Sequence, residues 1–396
     1  MSEKKRRKNL LLYSETFCAV SETFVYRMAT GIHSHQVTVL THERVNETEF
    51  PDANLKIVVW PRESAGRVGR AFATLKNWLR WGLPTSELFK DRGIVSNGRI
   101  EAPEIMLASF ATCGVRLLPW AMSLKVPLAT YLHGCDIGSW LKFRGYPKCL
   151  ETLFSRGSAF IVATEFMRQR AIALGCPPEK IHKIPYSIPL LPAVPDRPGP
   201  KESGGRFRFL HVGRLHEQKG ILFTIRAFAE VCKSYPAAEL AIVGDGPQRQ
   251  EAERLAQSLG LTGKIEFKGA LPFTQVLPEF AKADTYVIHS ISTADGDTEG
   301  FGVSLAEASM TELPIVATRH NGFPEVVLDG KTGFLVEERD VRGMADAMLK
   351  LASEPDLRAR MGAAGRVHVR NSFAPEKVMG EYTELFSSLM AESPAR

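Results

Sequence analysis

The sequence predicts two α/β domains, each built on a parallel, doubly wound sheet that is covered by helices. Short, nearly continuous apolar runs alternate with helical patterns along the chain, as expected for parallel strands that are buried on both faces. A Pro- and Gly-rich segment interrupts this alternation near the middle of the 396 residues. This length exceeds what one ordinary hydrophobic core contains and suits two domains.

The strand candidates form two series, one on each side of that segment. A first buried strand follows the basic N-terminal residues. The other strands of the first series are predicted at Gln36–Thr41, Lys56–Trp60, Glu104–Ala108, Leu128–His133 and Ala159–Ala163. Those of the second series are predicted at Phe207–Val212, Glu239–Val243, Ile265–Lys268, Thr285–His289 and Pro314–Ala317. Helical patterns between the runs predict βαβ units, whose ligands bind beyond the carboxyl ends of the strands.

The segment between the two series reads PLLPAVPDRPGPKESGGR, from Pro189 to Arg206. Its five prolines and three glycines can neither pair as a strand nor continue a helix. We therefore predict an N-terminal domain over residues 1–188, a linker over 189–206 and a C-terminal domain over 207–372. A final helix within 373–396 is expected to cross back to the first domain.

The net charge of +6 is unevenly distributed. Residues 1–195 carry 26 basic and 16 acidic side chains, a balance of +10, whereas the remainder carries 24 and 28, a balance of −4. The first half is therefore the candidate for contact with an anionic partner, either nucleic acid or a membrane surface. No nucleic-acid-binding module is recognisable in the sequence, so we expect no nucleic-acid partner.

The composition predicts a soluble protein of the cytoplasm. No apolar run approaches the length of about 20 residues that spans a bilayer. The apolar residues 10–13 behind the basic N-terminus are fewer than a secretory signal needs. The six cysteines form no Cys-x-x-Cys pair, which favours reduced thiols over a disulfide framework or a metal site.

The first candidate site is the stretch FLHVGRLHEQKG, from Phe209 to Gly220. A buried strand ends at Val212, Gly213 permits a tight turn, and Arg214 and Lys219 follow near the start of the next helix. Two cations beside a helix N-terminus suit a diphosphate. The alternative is that both are solvated surface charges.

A second turn lies in LAIVGDGP, where a strand breaks at Gly244 and Gly246. Arg249 stands where the dinucleotide fingerprint has its third glycine, so a nicotinamide or flavin enzyme is disfavoured.

The third stretch runs from Asp295 to Gly330 and contains EGFGVSLAE, from Glu299 to Glu307. Backbone amides at Phe301 and Gly302 can meet anionic oxygens, and the two carboxylates can accept hydrogen bonds from sugar hydroxyls. A carboxylate among small apolar helix residues has to face solvent or a ligand, because burying it unpaired is costly.

These motifs resemble those of the retaining GT-B glycosyltransferases of family 4. The seven residues between Glu299 and Glu307 give the Glu-x7-Glu signature, and the family's motifs recur around it in the usual order. They are Gly213-Arg214 with Lys219-Gly220, Val243 to Pro247, Ala283-Asp284, and Gly322 to Glu325. The resemblance covers residues 206–340.

The resemblance implies a role for each matching residue. Arg214 and Lys219 would neutralise the donor diphosphate and the leaving group. Glu307 would accept from the ribose hydroxyls and Glu299 from those of the transferred sugar, while the amides of Phe301 and Gly302 would hold sugar or phosphate oxygens. In the first domain, His133 matches the family's histidine near the sugar and the acceptor. The catalytic candidates are thus Glu299, His133, Arg214 and Lys219, and the donor-binding candidates add Gly213, Gly244, Phe301, Gly302 and Glu307.

The first domain departs from the family pattern. Many relatives carry two glycines after the first strand, whereas residues 13–28 contain none. Residues 21–24, SETF, resemble the branch that builds bacterial exopolysaccharides of the colanic-acid type. The segment YSIP from Tyr186 to Pro189 replaces the family's Asn-Gly-Val-Asp, and Asn321 replaces a glycine before Gly322.

The resemblance also implies the reaction: front-face displacement with retention, without a protein nucleophile, a metal or another cofactor. Asp295 and Asp297 resemble the metal-binding Asp-x-Asp of the other glycosyltransferase fold, but the two cations already supply the positive charge, so we expect a turn or a contact to sugar hydroxyls. UDP-hexose is the favoured donor and GDP-mannose the alternative. A pyridoxal-phosphate phosphorylase, a nucleotide-sugar epimerase and a non-catalytic sensor are the rival functions.

A final pattern concerns residues 62–81, where Val68, Phe72, Leu75, Trp78 and Leu79 recur at helical spacing. The cations Arg67, Arg70, Lys76 and Arg80 lie between them. Such an amphipathic helix either packs its apolar face on the sheet or lies in a membrane interface. The family branch uses polyprenyl-diphosphate-linked acceptors at the inner leaflet of the plasma membrane, which keeps peripheral membrane binding open.

Overall fold

A computed structural model describes residues 7–19, 22–51, 55–60, 67–81, 83, 95, 98–191, 206–294 and 296–392. The side chains of residues 67–69, 71, 72 and 81 are outside this description. The chain divides into two compact units. The first unit comprises Met1–Ser187 with Pro375–Arg396, and the second comprises Ile188–Ala374.

The first unit contains, in its described residues, a sheet of seven parallel strands in the order β3-β2-β1-β4-β5-β6-β7. The strands are β1 (Lys8–Phe17), β2 (His35–Arg44), β3 (Lys56–Val59), β4 (Ile105–Ala108), β5 (Leu128–Tyr131), β6 (Ala159–Val162) and β7 (Ile181–Lys183). The helices between them are α1 (Thr23–Gly31), α2 (Arg67–Trp81), α3 (Ala111–Leu124), α4 (Tyr146–Arg156) and α5 (Glu165–Ala173).

The second unit contains a parallel sheet in the order β10-β9-β8-β11-β12-β13. Its strands are β8 (Phe207–Val212), β9 (Ala238–Val243), β10 (Ile265–Gly269), β11 (Thr285–Ile288), β12 (Ile315–Thr318) and β13 (Gly333–Val336). Its helices are α6 (Ile221–Ser234), α7 (Arg249–Ser258), α8 (Phe273–Lys282), α9 (Val303–Met310), α10 (Phe323–Val326), α11 (Val341–Ser353) and α12 (Pro355–Phe373). Buried side chains of β8, α6 and α11 contribute to its core, among them Phe209, Phe228 and Met348.

Both sheets are doubly wound, as the sequence predicts. In each, the strand order reverses once, between β1 and β4 in the first unit and between β8 and β11 in the second. Loops leave such a reversal point toward opposite faces of the sheet, which opens a crevice beyond the carboxyl ends of the two strands. In the second unit, this crevice lies between the loops that follow β8 and β11.

The predicted strands all correspond to observed strands, with ends that differ by a few residues. Two edge strands, β7 and β13, were not predicted. β7 reads IHK, with polar residues at two of its three positions, and β13 begins at a glycine, which is typical of a turn. The predicted linker lies largely outside the described residues.

A thirteenth helix, α13 (Pro375–Glu392), belongs to the first unit although it follows the second in sequence. The Phe386 ring is fully buried and packs edge-on against His35, with 5.4 Å between the ring centroids. Thr383 Oγ1 donates a hydrogen bond to Ser34 Oγ over 3.1 Å. In the part of the chain that the structure describes, no helix is both long enough and apolar enough to cross a bilayer.

Close approach of two loops requires glycine at position 244. Gly244 has φ of +142°, and a Cβ built on it would lie 1.8 Å from the carbonyl oxygen of Gly213. Position 213 does not require glycine for this reason, because a Cβ built there would lie 3.6 Å from the nearest atom, in His211. The tight turn expected at Gly213 therefore depends on its partner in the next loop.

Replacement of Gly244 by alanine should lower the free energy of unfolding of the second unit by about 2 kcal/mol or more, because backbone atoms would have to move and the conformation is strained for an L-residue. Urea denaturation of the variant measures this change. Gly260→Ala is the matched control, since Gly260 has φ of +70° but nothing within 4 Å of a built Cβ. It should cost only about 1 kcal/mol, and equal losses in the two variants would contradict the steric argument.

Candidate active site

The centre of the site is an ion pair at the reversal point of the second sheet. After β8 the chain forms a single 3₁₀ turn, Glu217–Lys219, just before α6. After β11, the described residues that lead to Glu299 form neither helix nor strand. Lys219 Nζ donates a short hydrogen bond to Glu299 Oε2. Only 13% of the lysine side chain and 20% of the glutamate side chain are exposed, so each neutralises a charge that is largely removed from water.

The surroundings of Lys219 have opposing effects on the pKa of its amine. Burial, and to a smaller extent the positive charge of Arg214, lower its pKa to about 8, although Asp297 acts in the opposite direction. At pH 7 the amine is still protonated. A diphosphate placed beside it would raise the pKa again, because an opposite charge favours the ammonium form.

Arg214 lies in the loop after β8 and is exposed. It forms no ion pair with any residue within the described ranges. Its guanidinium is nevertheless close enough to Lys219 to lower the pKa of that amine. The two cations predicted to bind a diphosphate therefore act on one region, and Arg214 is the more accessible of them.

The turn after β9 is hydrogen-bonded to the loop that carries Arg214. The amide of Gly213 donates to the carbonyl of Val243 over 3.0 Å, and the amide of Leu215 donates to the carbonyl of Asp245 over 2.9 Å. Gly244, predicted as donor-binding, donates its own amide to Gly269 over 2.8 Å. Its role in this structure is to let the loops carrying Arg214 and Lys219 approach.

The helix α9 begins directly after Gly302, whose φ of +81° suits glycine. A Cβ at this position would lie 2.5 Å from Leu305 Cδ1 and 2.7 Å from Phe323 Cε1. The amide of Gly302 has no hydrogen-bond partner among the described residues, as is usual at a helix N-terminus. Phe301 is buried against Phe373. Glu307 lies partly buried on α9, where its charge raises the pKa of Tyr286, a smaller effect than the burial of that phenol.

Only one residue of the acidic pair before Glu299 belongs to the described part of the chain. Asp295 lies outside the described residues. The Asp297 carboxylate is 2.7 Å from the side-chain nitrogen of Gln218 when that amide is oriented to donate, and 3.7 Å from His216 Nδ1. Within the described part of the chain, no cluster of three or more His, Cys, Asp or Glu side chains is arranged for a metal ion.

Sequence reasoning missed a polar network behind Glu299. His320 follows β12 and has a fully buried side chain, and its Nδ1 lies 2.5 Å from Glu338 Oε1. Asn321, noted only as a departure from glycine, has φ of +43°, and its side-chain amide donates to the carbonyl of Glu299 over 3.2 Å. Asparagine tolerates this left-handed conformation better than most residues. No periodic pattern marks these residues, so the sequence gives little sign of the network.

His133 lies in the first unit, after β5, and is buried among aromatic rings. Its Nε2 is 2.7 Å from the carbonyl oxygen of Ser109, and its Nδ1 is 2.6 Å from the hydroxyl of Tyr186. Because a carbonyl can only accept, Nε2 carries the proton and Tyr186 donates to Nδ1. Burial lowers the pKa of His133 to about 4, so the ring is neutral. Both ring nitrogens are engaged inside the first unit, and the role of His133 toward the sugar stays a prediction.

The backbone around His133 is fixed by Asp136. This buried carboxylate accepts the amide of His133 over 2.8 Å and the amide of Ala111 over 3.1 Å, at the start of α3. Burial raises the pKa of Asp136 to about 7, although both amide bonds work in the opposite direction. Tyr186, which stands where the family has asparagine, thus has a partner in the loop that Asp136 fixes.

Two family models match the chain, one over each unit. The model "Glycosyltransferase Family 4" matches residues 21–190, and "Glycosyl transferases group 1" matches residues 195–368. The chain belongs to glycosyltransferase family 4. This glycosyltransferase has the GT-B fold: a crystal structure of Anabaena Alr3699/HepE in complex with UDP and glucose superposes with a TM-score of 0.75 at 16% identity. The superposition covers 96% of this chain and 100% of that one.

Curated relatives confirm the predicted resemblance to the colanic-acid branch. The putative colanic acid biosynthesis glycosyltransferase WcaL of Escherichia coli K12 is 29% identical over 298 residues, which cover 74% of this chain and 73% of WcaL. A GDP-mannose-dependent α-(1-6)-phosphatidylinositol monomannoside mannosyltransferase of Mycolicibacterium smegmatis is 31% identical over 59% of this chain and 63% of that enzyme.

Binding of a nucleoside diphosphate to this glycosyltransferase should weaken as the pH rises above about 8. Lys219 then loses its proton, because its pKa in the unliganded protein is lowered to about 8, and a neutral amine no longer pairs with a diphosphate. Titration calorimetry with UDP should show affinity falling by up to about tenfold per pH unit between pH 8 and 9.

Lys219→Arg is the control, because a guanidinium stays protonated throughout this range. Its affinity for UDP should be level between pH 7 and 9. A level profile in the parent protein, or a parental decline in the arginine variant, would contradict the assignment of Lys219 as the titrating phosphate ligand.

Proposed function

We propose that this glycosyltransferase transfers a hexose from UDP-hexose to a saccharide or polyprenyl-diphosphate-linked saccharide during exopolysaccharide synthesis. Transfer retains the anomeric configuration and requires neither a metal ion nor another cofactor. The observation that carries the proposal is the Lys219–Glu299 pair at the reversal point of the second sheet. It joins the phosphate-binding candidate to the sugar-binding candidate in one place.

The pair suggests how a donor is accommodated. When a nucleotide sugar binds, the diphosphate takes Lys219 as its counter-ion together with Arg214. Glu299 is released to accept hydrogen bonds from hydroxyls of the transferred sugar. Neither buried charge is left uncompensated in this exchange, which matters because an unpaired buried charge costs several kcal/mol. Glu307 accepts from the ribose hydroxyls, and the amides of α9 face anionic oxygens.

The reaction then needs positive charge where negative charge accumulates. The bond between the anomeric carbon and the diphosphate oxygen breaks, and Arg214 and Lys219 stabilise the departing phosphate as preorganised electrostatics. The acceptor hydroxyl attacks from the same face and passes its proton to the departing phosphate oxygen. Metal-independent transfer follows, because both charges that a metal would balance are met by side chains.

Relatives support the choice of donor and acceptor. HepE was crystallised with UDP and glucose, which favours UDP-hexose. The mycobacterial relative is GDP-mannose-dependent, so GDP-mannose is the second candidate. WcaL is named for colanic acid biosynthesis, which favours an exopolysaccharide acceptor. Calorimetry with UDP and with GDP separates the two donor classes, and the class that binds more weakly is excluded.

Glu299→Gln should reduce turnover by about a hundredfold, the order expected when one preorganised site group is lost. The amide keeps the size of the side chain but loses the negative charge that pairs with Lys219. Sugar transfer to an added acceptor, followed in buffer containing EDTA, measures the effect. Product that depends on the acceptor also excludes an epimerase, a phosphorylase and a sensor.

Glu251→Gln is the matched control, since Glu251 is an exposed carboxylate on α7. It should keep parental turnover. Near-parental activity of Glu299→Gln would refute the role of Glu299, and loss of parental activity in EDTA would refute metal independence.

We also propose that the first unit binds the inner face of the plasma membrane through α2. Three large apolar side chains of this helix face outward: Leu75 is 54% exposed, Trp78 is 50% exposed and Leu79 is 71% exposed. Among the side chains of α2 that the structure describes, the buried one is that of the polar Asn77. This orientation is opposite to that of a helix that packs its apolar stripe on a sheet.

The charges around this face favour an anionic lipid surface. Arg70, Lys76 and Arg80 are exposed on α2, and the first 195 residues carry a balance of +10. Tryptophan and leucine beside cations suit the boundary between headgroups and acyl chains. The side chains of Arg67, Val68 and Phe72, which complete the predicted stripe, lie outside the described residues.

Co-sedimentation with liposomes that contain phosphatidylglycerol should show salt-sensitive binding. Each basic residue near an anionic surface contributes about 1 kcal/mol. Replacing all three of Arg70, Lys76 and Arg80 by glutamine should therefore weaken binding by up to about a hundredfold. The matched control changes three exposed arginines of the second unit: Arg254, Arg360 and Arg370.

The control variant should sediment like the parent, and Leu79→Ser should weaken binding at every salt concentration. A parent protein that stays in the supernatant at low salt would refute membrane binding. Equal losses in the two triple variants would mean that net charge, rather than α2, attracts the lipid.

A further inference from the structure

The His320 side chain lies behind the segment that ends at Glu299. It follows β12, the neighbour of β11 in the sheet, and none of its surface is exposed. Its Nε2 is 3.1 Å from the backbone nitrogen of Glu299 and 3.1 Å from Thr298 Oγ1. Its Nδ1 lies 2.5 Å from Glu338 Oε1. The imidazole therefore bridges a carboxylate and the backbone of the residue assigned to the sugar.

The partners fix which nitrogen carries the proton. A backbone N–H can only donate, so the Nε2 that receives the amide of Glu299 must be an acceptor. Nδ1 therefore carries the proton and donates a hydrogen bond to Glu338. The buried position lowers the pKa of His320, and the charge of Lys219 adds to this, while Glu338 opposes it. In this tautomer Nδ1 donates to Glu338, and the Nε2 lone pair is shared by three neighbouring donors: Asn321 Nδ2 at 2.9 Å, the Glu299 amide and the Thr298 hydroxyl.

Glu338 anchors the other end of the same segment. Its Oε2 accepts the backbone amide of Ser292 over 2.9 Å, and its Oε1 accepts the Ser292 hydroxyl over 3.2 Å. Burial alone would raise the pKa of Glu338, but the hydrogen bonds from Ser292 and His320 lower it overall. The His320–Glu338 pair thus holds Ser292 through the carboxylate and the backbone of Glu299 through the imidazole.

We propose that His320 is a positioning residue, whose neutral ring, oriented by Glu338, holds the Glu299 backbone so that the Glu299 carboxylate faces Lys219 and the transferred sugar. This inference rests on the proposed role of Glu299. The carboxylate has to alternate between Lys219 and sugar hydroxyls, and a backbone fixed from behind limits that change to the side chain. A misplacement of about 1 Å in such a group costs on the order of a hundredfold in rate.

Two amide substitutions separate the two nitrogens of His320. The side-chain oxygen of glutamine can occupy the place of Nε2 and accept the Glu299 amide, whereas the side-chain nitrogen of asparagine occupies the place of Nδ1 and reaches only Glu338. His320→Gln should therefore keep turnover within about fivefold of the parent, and His320→Asn should lower kcat by about ten- to a hundredfold. Both variants should bind bare UDP with nearly parental affinity, because that ligand contacts the phosphate cations.

A structural defect would give a different result. If His320 served only to stabilise the fold, the two variants would lose turnover and UDP affinity together, and that outcome overturns the proposal. Parental turnover in His320→Asn also overturns it. Selective ¹⁵N labelling of histidine gives an independent readout: the signal that is absent from His320→Gln should report a neutral ring protonated on Nδ1 at pH 7.5. An imidazolium or a ring protonated on Nε2 overturns the proposal.

The experiment distinguishes this inference from the proposed function. If Glu299→Gln is inactive and His320→Asn is fully active, the positioning role fails and the role of Glu299 stands. If Glu299→Gln is fully active, the proposed function of Glu299 fails, and the tautomer of His320 decides whether the ring holds the segment.

Discussion

The ion pair between Lys219 and Glu299 is the interaction on which the site of the second unit depends. The two residues follow neighbouring strands at the one place where the strand order of the sheet reverses. Each side chain is mostly withdrawn from water, and without the other it would leave a buried charge without a partner. The pair also sets a requirement on any ligand, which must offer an anion to the lysine and hydrogen-bond donors to the glutamate. A nucleoside diphosphate joined to a sugar has both groups at adjacent positions.

The surrounding structure holds this pair in place. Gly244 lets the turn after β9 approach the loop that carries Arg214 and Lys219. Gly302 lets α9 start against Leu305 and Phe323. The His320–Glu338 pair ties down the segment that ends at Glu299. Strands β9, β8, β11, β12 and β13 lie side by side in the sheet, and each is followed by one of these supporting elements. The sheet therefore orders the contributions to the site.

Much of this arrangement could be predicted from the sequence. The rest was missed for physical reasons that the structure identifies. Buried parallel strands are almost continuously apolar, so β8 and β11 are visible as runs, and the spacing of Glu299 and Glu307 identifies the family. Pairing between His320 and Glu338 depends on the register of β12 against β13, which no local pattern encodes. The same holds for Tyr186 and His133, 53 residues apart in sequence. The sequence did not decide whether the apolar face of α2 packs on the sheet or faces outward. Helical spacing shows which residues share a face of the helix, but not whether that face is turned toward the sheet.

The position of α13 has a consequence for how the protein is made. Phe386, Tyr382 and Val378 are buried in the first unit, yet they are synthesised only after all of the second unit, Ile188–Ala374. At translation rates of about 5–20 residues per second, the first unit emerges from the ribosome roughly 10–40 seconds before the helix that completes it. During this interval His35 lacks its contact with Phe386, and Gly31 lacks its contact with Met379. The surface of the first unit that α13 covers therefore stays exposed until the second unit has been translated, and folding of the first unit is completed only then.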